Sequence, residues 1–124
     1  MALYPIKPIA KPRMTRADKW KNPPRSSVAI YRAFCDECRL RMGRLDLNYK
    51  DVTWYIPMPA SWSEKKKKEH VGNPHLSKPD LSNLLKALED ALYSDRYTGR
   101  DDKEVHTIGR ISKVWSRTPG IEIQ

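Results

Sequence analysis

Cysteine is scarce. Cys35 and Cys38 are the only two in 124 residues, too few to staple a chain of this size, which excludes a disulfide scaffold. No apolar run approaches the roughly 20 residues that a membrane-spanning helix needs, and the opening "MALYPIKPIAKP" lacks the apolar centre of a secretory signal. A cytoplasmic protein with no membrane partner is therefore expected. There is no internal repeat, and Lys65 to Lys68 is the single low-complexity run. Acidic residues are in deficit too: 15 Asp and Glu stand against 24 Lys and Arg, a formal net charge of +9. Such an excess on a small domain favours a polyanionic partner, because neutralising phosphates releases condensed counterions and attracts the protein over long range. Nucleic acid is the first candidate; a soluble protein that happens to be basic is the other.

The length fits one domain, residues 1–124, around a single modest core. "LYPIKPIAKP" alternates as a short strand that Pro5 and Pro8 push to a sheet edge. A proline-rich basic loop, residues 11–25, follows. From Lys7 to Arg25 the cations Lys7, Lys11, Arg13, Arg16, Lys19, Lys21 and Arg25 face one anion, Asp18. Residues 26–47 read as a helix capped at Ser26 or Ser27. At about 100° per residue, Val28, Tyr31, Phe34, Cys35, Cys38, Met42 and Leu45 fall within roughly 120°, a stripe that would lie on a sheet. "DVTWYIPMP" places Val52, Trp54, Ile56 and Met58 on one face of a strand.

The basic segment 61–70 starts a short helix at Ser61 or Ser63, ended by Gly72, Asn73 and Pro74. Its Lys65, Lys66, Lys67 and Lys68 are either a solvated face or DNA contacts. A second main helix runs through "KPDLSNLLKALEDAL", and "VHTIGRISKVW" and "GIEIQ" form two strands around a turn at Thr118, Pro119 and Gly120, read as a hairpin. The fold class is α/β in the broad sense (α+β): a small single domain of β-α-β-α-β-β order, with helices packed on a mixed sheet.

Pro79 and Asp80 mark the start of the second main helix on structural grounds alone. Leu81, Leu84, Leu85, Leu88 and Leu92 form an apolar stripe of roughly 100°, leaving Ser82, Asn83, Lys86, Glu89, Asp90 and Tyr93 on the other side. A merely wet polar face is one reading. The other comes from "GRDDKEV", where Asp101 and Asp102 stand before a strand and can return to the level of the helix start. Carboxylates from two elements beside a lysine suit phosphodiester hydrolysis: magnesium prefers hard oxygen ligands and keeps several waters, so two or three carboxylates hold it, while an ammonium stabilises developing charge. One oxygen of Asp80 can cap the helix while the other holds metal.

"KPDLSNLLKALEDAL" with "GRDDKEV" resembles the signature of the RusA family of Holliday junction resolvases, small bacterial and phage endonucleases, in which an Asp-x-Asp-Asn-Leu-x-x-Lys helix precedes an Asp-Asp turn. "KPRMTRADKWK" and "PMPASWSEKKKKEHVGNPHLSKPD" resemble phage-type members, so the likeness covers most of the chain. It implies a compact α/β fold, a homodimer, dependence on magnesium (with manganese as a substitute) and paired cleavage of four-way or branched DNA in recombination and repair. On that resemblance Asp80 is the first metal ligand and Asp102 the last, Asp101 lies beside it, Lys86 is the essential lysine and Asn83 the family's asparagine. Ser82 stands where the family usually has its second aspartate. Asp101, Asp90 or Glu89 are its potential substitutes, and a DNA-binding protein with a degenerate metal site at Ser82 is the alternative.

Cys35 and Cys38 invite a zinc reading with His70 and His75, but 31 residues separate Cys38 from His70, against the roughly 12 to 15 of a finger. Both cysteines fall on the apolar stripe, so buried thiols are expected and zinc is not. His75 and His106 are candidates for proton transfer or phosphate contact, or ordinary hydrogen-bonding residues. Trp20 and Trp62, in basic segments, either stack on an unpaired base or pack on the domain; Trp54 is read as core.

Overall fold

The alternation of "VTWYIP" builds the strand around which everything else is arranged. The computed structural model describes residues 2–124 and contains four strands, β1 (Ala2–Tyr4), β2 (Val52–Pro57), β3 (Ile111–Ser116) and β4 (Gly120–Ile123). They form one mixed sheet in the order β1-β4-β2-β3. Val52, Trp54 and Ile56 of β2 are buried while Thr53, Tyr55 and Pro57 are half-exposed, so one face of the sheet is core. Ile121 and Ile123 of β4, in register with Trp54 and Val52, extend it. On the opposite face the Tyr55 hydroxyl donates to Glu122 Oε1 at 2.7 Å.

Three helices follow from the other periodic segments: α1 (Ser26–Met42), α2 (Glu64–His70) and α3 (Leu81–Leu92). α1 packs against α3, and their buried side chains join the inner face of the sheet in one core. Ala87 and Ala91, both fully buried, let the two helices approach closely. A single helical turn at Asp95–Thr98 and two 3-10 turns, Arg16–Lys19 and Asp102–Glu104, complete the elements. The order is thus β-α-β-α-α-β-β. Among the described residues no helix is long and apolar enough to cross a membrane.

Several expectations change. The first strand ends at Tyr4, before Pro5 and Pro8, and the first helix is capped in backbone by Arg25 without a side-chain cap bond, so Ser26 and Ser27 lie inside it and not at its cap. The α1 helix stops at Met42, five residues before the expected end, because Gly43 takes φ +62° and ψ −125°, a positive-φ conformation off the helical path that suits glycine. β3 and β4 do not form a hairpin: β3 pairs parallel to β2, and β4 pairs antiparallel to β2 on its other side. Their short link therefore passes over the end of β2, where Met58 N donates to Ser116 O at 3.0 Å. Tyr93, expected on the polar face of α3, is buried, its hydroxyl accepting from Leu47 N at 2.7 Å and donating to Asp46 Oδ1 at 2.9 Å. Just before β3, a Cβ on Gly109 would collide with the Asp51 carboxylate and the Lys50 carbonyl, a close approach that only glycine permits.

Candidate active site

The backbone at Asp80 is extended (φ −67°, ψ 143°), and its carbonyl accepts the first helical bonds from Asn83 N and Leu84 N, both at 3.1 Å. It is an N-cap in backbone only. Its side chain makes no cap hydrogen bond, which corrects the expected double use of the carboxylate and leaves both oxygens uncommitted at an exposed position. The approach to Asp80 is tied from the sheet: Lys113 Nζ on β3 donates to the carbonyls of Ser77 (2.6 Å) and Pro79 (2.7 Å). One turn on, Ser82 and Lys86 are exposed and Asn83 is half-buried. Asp80 and Asn83, with Ala10, Lys78 and Pro79, line a recess of about 440 Å³.

Asp102 arrives from the other direction. Arg100 Nη2 donates to Leu45 O and to Leu92 O, each at 2.9 Å, and its guanidinium lies 4.2 Å over the Tyr93 ring. The chain leaving this clamp enters a 3-10 turn that Asp101 caps: Asp101 Oδ1 accepts from Lys103 N at 3.0 Å, and Asp101 N donates to Glu104 Oε2 at 2.7 Å. Asp101 is therefore spent on the turn, and Asp102 is the one that lines a cleft of about 520 Å³ with Lys11, Pro12, Arg13, Asn83, Lys86 and Asp90. Asn83 belongs to both hollows, so Asp80 and Asp102 lie on one continuous surface with Lys86 beside them.

The electrostatics mark an excess of carboxylate. Burial, then Asp102 and Asp90, push the Glu89 carboxyl up from its ordinary range. Asp102 is raised by its hydrogen bond to Asp101, by burial and by the charges of Asp101 and Asp90, while Asp101 is lowered, first by the Lys103 N–H. Repulsion of this kind is relieved by a cation. Lys11 supplies one, with Nζ 2.7 Å from Asp90 Oδ2, and the Tyr31 hydroxyl donates to the same oxygen at 2.6 Å. Among the described residues no group of three His, Cys, Asp or Glu is close enough to hold a metal. One or two carboxylates with neutral oxygens beside them fit a hard, largely hydrated divalent cation and do not fit an all-protein cage.

Of the other residues singled out from the sequence, Arg13 joins Lys11 in the cleft, and Arg16, Lys19 and Lys21 are exposed beside it in sequence. Arg25 is held instead by Asp18, with Nε 2.8 Å from Oδ1 and Nη2 2.8 Å from Oδ2. Lys7 borders a separate apolar hollow with Ile9 and Phe34. Lys65, Lys66 and Lys68 are exposed on α2, and Lys67 lies 3.9 Å from Glu64. Trp62 packs between His70 (4.9 Å) and Trp115 (4.8 Å), with Lys66 Nζ 4.2 Å over it. His75 is buried against Trp115, and His106 bonds Thr107 and meets Tyr49; neither lines the cleft. Cys35, Cys38 and Trp54 are buried as read. Sequence reasoning missed the roles of Lys11, Tyr31, Arg100 and Lys113. Each bonds a group distant in sequence, which no local pattern announces.

A family model for endodeoxyribonuclease RusA matches residues 5–124. The uncharacterized protein YqaN of Bacillus subtilis (strain 168) is 38% identical over 77 residues, 59% of this chain and 52% of that protein. The chain thus spans about half the length of the curated relative it matches. No solved structure matches.

Proposed function

Because the chain belongs to the RusA endodeoxyribonuclease family, we propose that it is a magnesium-dependent endonuclease that resolves four-way DNA junctions by paired phosphodiester hydrolysis, acting as a homodimer in the cytoplasm. The observation that carries this reading is the shared lining of one cleft: Asn83 and Lys86 from α3 with Asp102 from the turn after it, adjoining the recess of Asp80. Asp80 and Asp102 are the carboxylates that would hold magnesium, or manganese in its place, with Ser82 and Asn83 as neutral oxygen donors and Asp101 fixing the turn. When bound, the ion supplies Lewis-acid polarisation of a phosphoryl oxygen and lowers the pKa of water.

The protein's own groups do the rest. Lys86, exposed and in no ion pair among the described residues, presents an ammonium to the charge that accumulates on the phosphate in the transition state. Lys11 and Arg13 face the same cleft and orient the DNA backbone. Exposed cations at Arg16, Lys19, Lys21, Lys65, Lys66 and Lys68, with the half-buried Lys67 beside them, extend the contact with branched DNA, which gives binding a steep salt dependence. Two symmetric nicks call for two symmetric sites, hence the dimer.

The test is nicking of a synthetic four-way junction against linear duplex, with and without magnesium. Asp80→Asn, Asp102→Asn and Lys86→Met should each lose on the order of a hundredfold or more in cleavage while still binding the junction, the scale of removing one transition-state contact. Undiminished cleavage by any of them refutes the assignment. Full resolving activity from a species of monomeric mass refutes the dimer. A second reading, a branched-DNA-binding protein with an impaired metal site, is favoured by the neutral Ser82 and the absence of a three-donor cluster among the described residues. It predicts junction binding without nicking in either metal, and nicking gained by Ser82→Asp.

A further inference from the structure

Most aromatic side chains here are packed, but Trp20 is 79% exposed. An indole offers one of the largest apolar surfaces available to a protein, and leaving it in water forgoes that burial. What keeps it out is a small knob made of residues 15–25. Asp18, only 3% exposed, accepts from Thr15 N (2.8 Å), Thr15 Oγ1 (3.1 Å) and the Nε and Nη2 of Arg25. Arg32 on α1 donates to the Asp18 carbonyl at 3.1 Å, and Arg25 Nη2 also donates to the Arg13 carbonyl. At the far end of the turn, Trp20 N and Lys21 N both donate to Ala17 O, at 3.1 and 2.9 Å. The backbone that carries the indole is thus fixed on both sides.

We propose that Trp20 is a stacking platform for an unpaired nucleobase at the branch of its DNA substrate, presented by the Asp18–Arg25 knob beside the cleft. The site rests on the DNA-binding reading above and adds to it a residue that recognises unpaired structure. The surroundings favour a nucleotide over an apolar partner. Arg16, Lys19 and Lys21 are exposed within five residues of the indole in sequence, Lys19 Nζ lies 5.3 Å from its centroid, and the only acidic side chain of the knob is neutralised by Arg25. An exposed π-face beside an ammonium, on a knob whose other charged surface side chains are cationic, fits a base and its adjacent phosphates, and such stacking tolerates any base sequence. The knob is continuous with the cleft through Arg13, whose carbonyl Arg25 holds and whose side chain lines the cleft. Trp62, also singled out in the sequence, is already sandwiched and offers no comparable face.

The test is binding by the full chain in the presence of chelator, so that cleavage plays no part. Fluorescence anisotropy of labelled oligothymidine, four-way junction and linear duplex is compared for wild type, Trp20→Phe and Trp20→Ala. Trp20→Ala should lose roughly 10- to 100-fold in affinity for oligothymidine and junction, the range for removing a base-stacking aromatic, with duplex binding unchanged. Trp20→Phe should keep most of the affinity. The wild-type tryptophan emission should be quenched on binding oligothymidine, and that quenching should vanish in Trp20→Phe although binding persists. Equal losses on all three DNAs, no loss on any, or quenching that survives in Trp20→Phe would overturn the inference and leave the nuclease reading standing. Failure of the wild type to bind any DNA would overturn both.

Discussion

Replacing Arg100 by methionine keeps most of the aliphatic stem and removes the guanidinium that joins the end of α3 to the loop after α1. Two hydrogen bonds of 2.9 Å to the carbonyls of Leu45 and Leu92 disappear, with the contact over the Tyr93 ring. Bonds from a charged donor contribute about 1.5–3 kcal/mol each, and the ring contact about 0.5 kcal/mol at this partly exposed position. Arg100 Nε is buried without a partner, which offsets about 1 kcal/mol. The net expectation at the lower end of each range is a loss of about 2–3 kcal/mol, or roughly 10 °C in Tm for a domain of this size. Urea unfolding reads it directly, with an unchanged m-value if only the folded state is affected. Because Arg100 immediately precedes Asp101 and Asp102 and lies outside the cleft lining, junction nicking per folded molecule should fall at least tenfold while binding is retained. Arg100→Lys should recover little, since one ammonium cannot bridge both carbonyls and stack on the ring. A stability within about 0.5 kcal/mol of wild type, the usual scatter of inert surface substitutions, refutes the clamp; normal nicking by a destabilised variant refutes its role in placing Asp102.

Lys113→Met removes the donors that hold Ser77 and Pro79; it should cost about 1–3 kcal/mol and raise the magnesium concentration needed for half-maximal nicking, and an unchanged metal midpoint counts against this tie. The Arg25 guanidinium and the Thr15 N–H hold the Asp18 carboxyl well below the ordinary carboxylate range. Its folded pKa is depressed, so its contribution is present above the unfolded value of about 3.9 and is lost as pH falls through the folded value. The stability gap between wild type and Asp18→Asn should therefore be widest near neutrality and shrink as pH falls below about 4; a gap independent of pH contradicts the ion pair. Burial raises the Cys35 thiol and pushes Cys38 up to about 12, so a thiol reagent should modify both slowly in native buffer and rapidly in urea, whereas fast native labelling excludes the buried placement.

Periodicity carried the helices and the central strand well. The five-leucine stripe of α3 and the alternation of Val52, Trp54, Ile56 and Met58 needed no tertiary knowledge to read, and the Ser63 hydroxyl accepts from Lys66 N at 3.2 Å as a cap should. What failed was non-local. A link as short as residues 117–119 favours a hairpin on local grounds, yet pairing β4 with β2 puts Ile121 and Ile123 beside Trp54 and Val52 in the middle of the sheet, and β3, half-exposed throughout, takes the edge. Likewise Tyr93 lies close to the polar arc of its helix but is drawn inward because Leu47 and Asp46 satisfy its hydroxyl. The candidate acidic pair and Lys86 were named through the family motif, and the fold brings them to adjoining hollows. Lys11, Arg100 and Lys113 were not, since a cation that reaches across the fold to a backbone carbonyl or to Asp90 looks in sequence like any other solvated cation.

Those three residues alter what the net charge means. Read from composition, +9 is a uniform attraction toward phosphate. In the folded chain Arg25 is neutralised by Asp18, and Lys11 by Asp90, whereas Lys113 and Arg100 bond only carbonyls among the partners described above. A carbonyl orients a cation without cancelling its charge. Lys113 and Arg100 therefore hold the approach to Asp80 and the residue before Asp101 by carbonyl ties that keep both positive charges.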